Sequence, residues 1–381
     1  MNKNIVLIRN AQPYDFGGGE RFPVFISQAL KSEGFYPTVV SRSKSLRTFA
    51  SENDIPIIKG WWWAHQNWSG RWALLFPVYL VWQGILIAYY LTLFIRLNPS
   101  AVHIQSKDDF IAGTFAAKVL GKRVIWTDHA DLKHIWLNVR HSFKNPVGKL
   151  IYLAAQHTNT ISVVSQSEKK AILDNLTPTS KVAHKLSVVY NGAFDHYNNK
   201  SKQQKESFIY TCVSRLVTDK GISELIKAFL EVQKIHPDVI LWLIGEGRER
   251  QKFEKAANNN DGIIFHGQQA DPIQYLAQSS VFVHPTYHEG FSLALVEASM
   301  MKLPIIATNV GGNPEIIIDR QTGLLVPAKD VEALTTAMNE LRENVDLRLL
   351  LGENARNQYV STFNFDVIVK NKFIPFYKGT N

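Results

Sequence analysis

VFVHPTYHEGFSLALVEASMM, residues 281–301, is the stretch on which the fold turns. Its opening run, VFVHPTY (281–287), is rich in β-branched and aromatic residues and predicts a strand. SLALVEASMM (292–301) predicts a helix. Glu289 therefore falls in a strand-to-helix loop, and Glu297 about two turns inside the helix. A helix opening on Gly290, Phe291, Ser292 and Leu293 presents backbone N–H groups that suit an anion such as a diphosphate. Glu289 at the mouth can accept hydrogen bonds from hydroxyls, and Glu297 a second set further along. Carboxylates for sugar hydroxyls, with amides for phosphate between them, meet the needs of a nucleotide-sugar site. The plainer alternative is a loop carboxylate and a solvated helix residue. Against it, Glu297 lies in an apolar run where an unpaired charge is costly.

Outward from this stretch the same alternation repeats. IVLIR (5–9), PTVVSR (37–42), AVHIQS (101–106), RVIWTDH (123–129), TISVVSQ (160–166) and SVVYNG (187–192) read as short apolar strands with helical segments between them. A segment over 196–207, rich in Asn, Lys, Ser and Gln, has linker composition. A second series of strands and helices follows it, from FIYTCVSRL through PIIATN. Such alternation predicts parallel sheets covered on both faces. The α/β expectation is two doubly wound, Rossmann-like domains facing a central cleft, with ligands at the C-terminal ends of strands. Their spans are 1–195 and 208–362, with a last helix at 363–378.

Four further blocks accompany the first in a fixed order: Gly17-Gly18-Gly19-Glu20, Ser214-Arg215-Leu216-Val217-Thr218-Asp219-Lys220-Gly221, Val310-Gly311-Gly312-Asn313-Pro314-Glu315 and Gly323-Leu324-Leu325-Val326-Pro327. With Glu289-x7-Glu297 they resemble the retaining glycosyltransferases of the GT-B fold, in the large family 4, over nearly the whole chain. The resemblance implies retaining transfer of a sugar from a nucleotide-diphosphate donor to a hydroxyl acceptor, attacked from the leaving-group side, with the departing phosphate taking the acceptor proton. It implies an N-terminal acceptor domain, a C-terminal donor domain and a last helix packed back on the first. Glu289 would hold donor-sugar hydroxyls, Glu297 the ribose, and Arg215 and Lys220 the diphosphate. Gly18 and Gly19 would approach the donor through backbone, and Gly245 would line the base pocket. His129 would stand near the reacting groups, with Asp131 as its partner or an acceptor ligand. His129 read alone could also be a strand-end histidine satisfied by backbone. Ser292 stands where the family often has Gly, and Gln105 where it often has a second His after His103, which leaves sugar and acceptor open.

Arg215 and Lys220 offer a planar fork and a point charge for phosphate oxygens. Two fixed cations with helix amides would stabilise a diphosphate leaving group without metal, and no Asp-x-Asp triplet occurs in the sequence. No metal and no cofactor are expected. A nucleotide-sugar epimerase or hydrolase on the same fold, or a binder without turnover, are the competing readings. Intact Arg215, Lys220, Glu289 and Glu297 disfavour the binder.

The 381 residues are 45% hydrophobic and 20% charged, which suits two domains with real cores. The single cysteine, Cys212, excludes an intrachain disulfide and points to a reducing, cytoplasmic setting. Net charge is +9, and residues 1–195 hold 22 Lys and Arg against 12 Asp and Glu. No nucleic-acid module or arginine-rich run is visible. Residues 72–95 carry no charge and follow Trp61, Trp62, Trp63 and Trp68. On length this passes as a membrane span. A span would put strands of one sheet on opposite sides of a bilayer. A buried or dimer-forming helix, or one lying in the interface of an anionic membrane, remain. The last is favoured, placing the protein at the inner face of the cell membrane with a lipid-linked acceptor.

Overall fold

The structure, a computed structural model, describes residues 2–10, 18–61, 76–129, 132–136, 146–177, 180–198 and 207–380. It comprises two compact units, residues 1–190 with 368–381, and residues 191–367.

Among the described residues the first unit is built on seven strands: β1 (Asn4–Ile8), β2 (Tyr36–Ser41), β3 (Ile57–Lys59), β4 (Ala101–Ile104), β5 (Arg123–Asp128), β6 (Thr160–Val163) and β7 (Leu186–Val188). They pair in parallel in the order β3-β2-β1-β4-β5-β6-β7. The described residues of the second unit form six: β8 (Phe208–Val213), β9 (Val239–Ile244), β10 (Ile263–Gly267), β11 (Val281–His284), β12 (Ile305–Thr308) and β13 (Leu324–Val326). Their order, β10-β9-β8-β11-β12-β13, is again parallel. The expected α/β class is observed: two parallel sheets with covering helices, the GT-B domain type. Strands such as β11 and β12 are buried at every position, as a sheet covered on both faces requires. Each sheet reverses direction of growth once, between β1 and β4 and between β8 and β11. Ligands of doubly wound sheets bind beyond the carboxyl ends of strands at that point.

Element boundaries differ from the sequence expectation where side-chain chemistry decides. Gly18 and Gly19 open the helix Gly18–Ser32 rather than standing in a loop before it; Gly17 lies outside the described residues. Strand β11 stops at His284 because Pro285 removes a ladder donor. The C-terminal stretch is two short helices, Phe365–Ile368 and Ile374–Lys378, around a π turn over Val369–Phe373. In the first unit its residues pack as a plug. Tyr377 Oη lies 2.7 Å from His103 Nδ1, and His103 Nε2 lies 2.7 Å from Thr127 Oγ1. Phe373 stacks edge-on to Phe22. Burial holds the His103 imidazole down at about 3, so it is neutral.

The charge-free run forms the helix Phe76–Leu97; residues 72–75 and Trp62, Trp63 and Trp68 lie outside the described residues. It is not apolar all round. Its inward face carries Tyr79, Gln83, Leu86, Tyr90, Leu93 and Phe94. Tyr90 donates to Asp109 Oδ1 at 2.7 Å, and Asn10 Nδ2 to Asp109 Oδ2 at 2.7 Å. Its outward face shows Val78, Val81, Ile85 and Ile95. Trp61 packs edge-on against Trp82 and Tyr89 of the same helix.

Candidate active site

The second unit gathers three loops at the carboxyl ends of its switch-point strands. Residues 214–221 leave β8, and residues 285–292 leave β11. The loop over 309–312 follows β12. Backbone bonds join them: Tyr287 N–H donates to Asp219 O at 2.8 Å, and Gly312 N–H to Glu289 O at 3.0 Å. Close approach of backbone explains the Gly-Gly pair of the fourth block. Gly311 has φ +52, and a Cβ there would lie 1.8 Å from Glu289 O. A Cβ on Gly312 would lie 2.2 Å from Gly290 O. Any side chain at either position would push the Glu289 loop away. Gly245 does the same for the Arg215 loop: at φ +136, its Cβ would meet Ser214 O at 2.0 Å.

Lys220 Nζ donates to Glu289 Oε2 at 2.8 Å, with both side chains largely buried. His284 Nε2 lies 3.3 Å from the same oxygen. Burial raises the Glu289 carboxyl, but the hydrogen bond and charge of His284, with Lys220 beside it, outweigh this and hold it down at about 2. Glu289 is thus ionised at neutral pH. Arg215 is exposed and makes no side-chain hydrogen bond or ion pair among the described residues, leaving its guanidinium open to an anion.

The helix after Glu289 runs Leu293–Met300, with Ser292 as its N-cap. Ser292 Oγ accepts from Leu295 N–H. The helix thus starts one residue later than the expected 292–301, with the Ser292 hydroxyl serving the cap and Glu297 in the second turn. The amides of Leu293 and Ala294, ahead of the first helical bond, face outward from the helix start. Phe291 is buried with its ring edge-on to Phe363, so only its backbone is available to a ligand. Glu297 is half-buried. Lys220, Glu289 and Gly290 are thus brought together, with Gly245 supporting the Arg215 loop.

In the first unit His129 follows β5, edge-on to Phe22. Its Nε2 is enclosed without a hydrogen-bond partner among the described residues. Burial, then Arg9 and His103 nearby, push its pKa well below the ordinary histidine range. His129 is therefore a neutral imidazole. Arg9, just past β1, donates to Glu20 Oε1 at 2.9 Å. Asp131 lies outside the described residues. Two groups escaped the sequence reading. His284 looks like one polar residue in a buried strand, and Arg9 like the end of β1; only the contacts reveal either.

Two protein-family models match adjoining stretches of the chain. "Glycosyltransferase Family 4" covers residues 16–193, and "Glycosyl transferases group 1" covers 194–358. The chain is a GT-B glycosyltransferase. Among curated relatives of this glycosyltransferase, the capsular polysaccharide biosynthesis glycosyltransferase CapM of Staphylococcus aureus is 27% identical, over 72% of this chain and 76% of that protein. UDP-Gal:alpha-D-GlcNAc-diphosphoundecaprenol alpha-1,3-galactosyltransferase of Escherichia coli is 26% identical, over 69% of this chain and 71% of that one. Anabaena HepE, solved in complex with UDP, superposes with a TM-score of 0.77 at 18% identity, covering 100% of both chains. Relatives of the glycosyltransferase thus act in polysaccharide and lipid-linked glycan synthesis.

Proposed function

We propose that this glycosyltransferase moves a sugar from a nucleotide-diphosphate donor to a hydroxyl of a lipid-linked glycan precursor, with retention and without metal, at the inner face of the cell membrane. The observation that carries the donor reading is the Lys220–Glu289 pair beside a helix N-terminus, at the point where the second sheet reverses. Phosphate oxygens would take Lys220, Arg215 and the first helix amides; sugar hydroxyls would take Glu289, and ribose hydroxyls Glu297. As the C1–O bond to the diphosphate breaks, negative charge gathers where two cations stand. The acceptor oxygen bonds C1 on the same face, and its proton passes to the departing phosphate. Neutral His129 would accept a hydrogen bond from an acceptor hydroxyl.

Support for a membrane comes from the helix Phe76–Leu97. Strands before and after it, β3 and β4, lie in one sheet, so it serves as a covering helix. Its buried face holds Tyr79, Gln83 and Tyr90 beside Leu86 and Phe94, while Val78, Val81, Ile85 and Ile95 stand exposed, an apolar surface that an ordinary covering helix does not show. Basic residues of the first unit would add attraction to anionic lipid.

The test is incubation with a panel of nucleotide sugars, with and without polyprenyl-diphosphate-linked sugar acceptors, in EDTA. Transfer should require acceptor, keep the anomeric configuration by NMR, and survive the chelator. Lys220→Ala and Arg215→Ala should each cut turnover, by roughly 10²–10³-fold for loss of a group on the developing charge. Sugar conversion without acceptor would favour an epimerase. Full activity in the double substitution would sink the assignment.

A further inference from the structure

His284 closes β11 with its side chain almost wholly buried. Its strand neighbours Val281, Phe282 and Val283 are apolar and fully enclosed. An imidazole among them is unfavourable unless its polar atoms find partners. Nδ1 finds none among the described residues, so Nε2 against Glu289 Oε2 is its one polar contact. Lys220 reaches that same oxygen. The other oxygen, Oε1, makes no hydrogen bond among the described residues. The carboxylate is therefore held from one side, with one oxygen occupied and one open.

We infer that His284 is a positioning residue for Glu289: it pins Oε2 from the strand side, so that Oε1 is presented to the donor sugar. The inference rests on the donor reading given above. Lys220 has a second claimant in that reading, because a diphosphate competes for its ammonium. Once Lys220 turns to phosphate, a largely buried carboxylate would lose its closest counter-charge. His284 stays, fixed by its strand, and keeps Glu289 from rotating. A carboxylate with one oxygen pinned offers a single setting to a hydroxyl, and such pre-orientation favours one hydroxyl arrangement over its epimer. His284 would thus govern which sugar is taken, while the nucleotide is held elsewhere.

The experiment uses the full chain with His284→Gln and His284→Leu. Gln places an amide N–H near the position of Nε2; Leu keeps bulk and removes the donor. Calorimetry is run with UDP against UDP-glucose and UDP-galactose, and GDP against GDP-mannose. The readout is the affinity for each nucleotide sugar relative to its own nucleoside diphosphate. We expect His284→Leu to lower the preferred ratio by about tenfold, the scale of one hydrogen bond to a charged group. Nucleoside diphosphate affinity should stay within about twofold, and His284→Gln should recover most of the ratio. An unchanged ratio in His284→Leu would make His284 a core residue only. A Gln variant as impaired as the Leu variant would assign the effect to packing. If His284→Leu does not fold, the Gln variant decides: a retained ratio supports the hydrogen bond, a lost one overturns it. Glu289→Gln, run alongside, separates the two layers. If it leaves every ratio unchanged, or the unsubstituted chain prefers no nucleotide sugar to its diphosphate, Glu289 does not read sugar and the donor reading fails first.

Discussion

Glu289 and Glu297 differ in setting, and the difference predicts different defects. Glu289 sits between Lys220 and His284, whereas Glu297 lies a helical turn further on. Glu297→Gln should weaken binding of free nucleoside diphosphate, since its proposed partner is ribose. Glu289→Gln should spare that binding and damage transfer. Calorimetry with UDP checks this, and equal losses would remove the distinction. Glu289 also carries an acid signature. Its carboxyl is depressed to about 2 in the folded protein, from the ordinary glutamate value of 4.5. A depressed acid contributes stability that is fully present above its unfolded pKa and is lost as pH falls through the folded one. The contribution, up to about 3 kcal/mol, should therefore disappear between roughly pH 4.5 and 2. Urea melts across that window should show a shallower pH slope for Glu289→Gln than for the unsubstituted chain. Of these residues, the sequence made Glu289, Glu297, Arg215 and Lys220 legible through spacing. His284 was not, because its meaning comes from a contact made only when the loop after β11 folds back.

At the scale of elements, the pair Gly311–Gly312 works as a backstop for the Glu289 loop. Gly312 has ordinary helical φ and ψ, so Gly312→Ala introduces no backbone strain, only a Cβ 2.2 Å from Gly290 O. It should cost about 1–3 kcal/mol of stability and lower donor affinity together, measured by thermal melting and calorimetry; a variant with normal affinity would show that the loop shifts harmlessly. The helix Phe76–Leu97 makes a separate prediction. Val81 is 66% and Ile85 45% exposed, so Val81→Glu with Ile85→Glu should leave the fold intact. It should nevertheless abolish flotation with anionic liposomes, which in the unsubstituted protein should occur at low salt and weaken as salt rises. Protein that stays soluble at low salt would return this face to some other use. The helix was legible from its lack of charge, but the polar contacts on its inward face were not: Tyr90 donates to Asp109, and neither residue stands out in the sequence. Runs of apolar and β-branched residues identified the strands, β3 excepted; ends were set by Pro285 and by the Ser292 cap, which local pattern places only to within a residue or two.

At the scale of the molecule, two alternating series of strands were enough to foresee two parallel sheets, since short apolar strands between helices admit few other arrangements. What pattern could not show is how the end of the chain plugs the first unit, because its partners His103, Thr127 and Phe22 are far away in sequence. Truncation after Val367 would remove Phe373 and Tyr377 and expose that buried polar chain. It should lower the melting transition reported by tryptophan fluorescence, since eight of the nine tryptophans belong to the first unit. Ellipticity from the second unit should persist, and an unshifted fluorescence transition would show that the plug is dispensable. The same connectivity bears on biosynthesis. Residues 191–367 form one continuous stretch, so that unit has all its parts as soon as they leave the ribosome. The first unit begins earlier and must wait, its pocket around His103 vacant, until residues 368–381 follow. Of the two units, the one that begins later in the chain is thus the first to have all its residues out of the ribosome, and the first unit is sealed only after it.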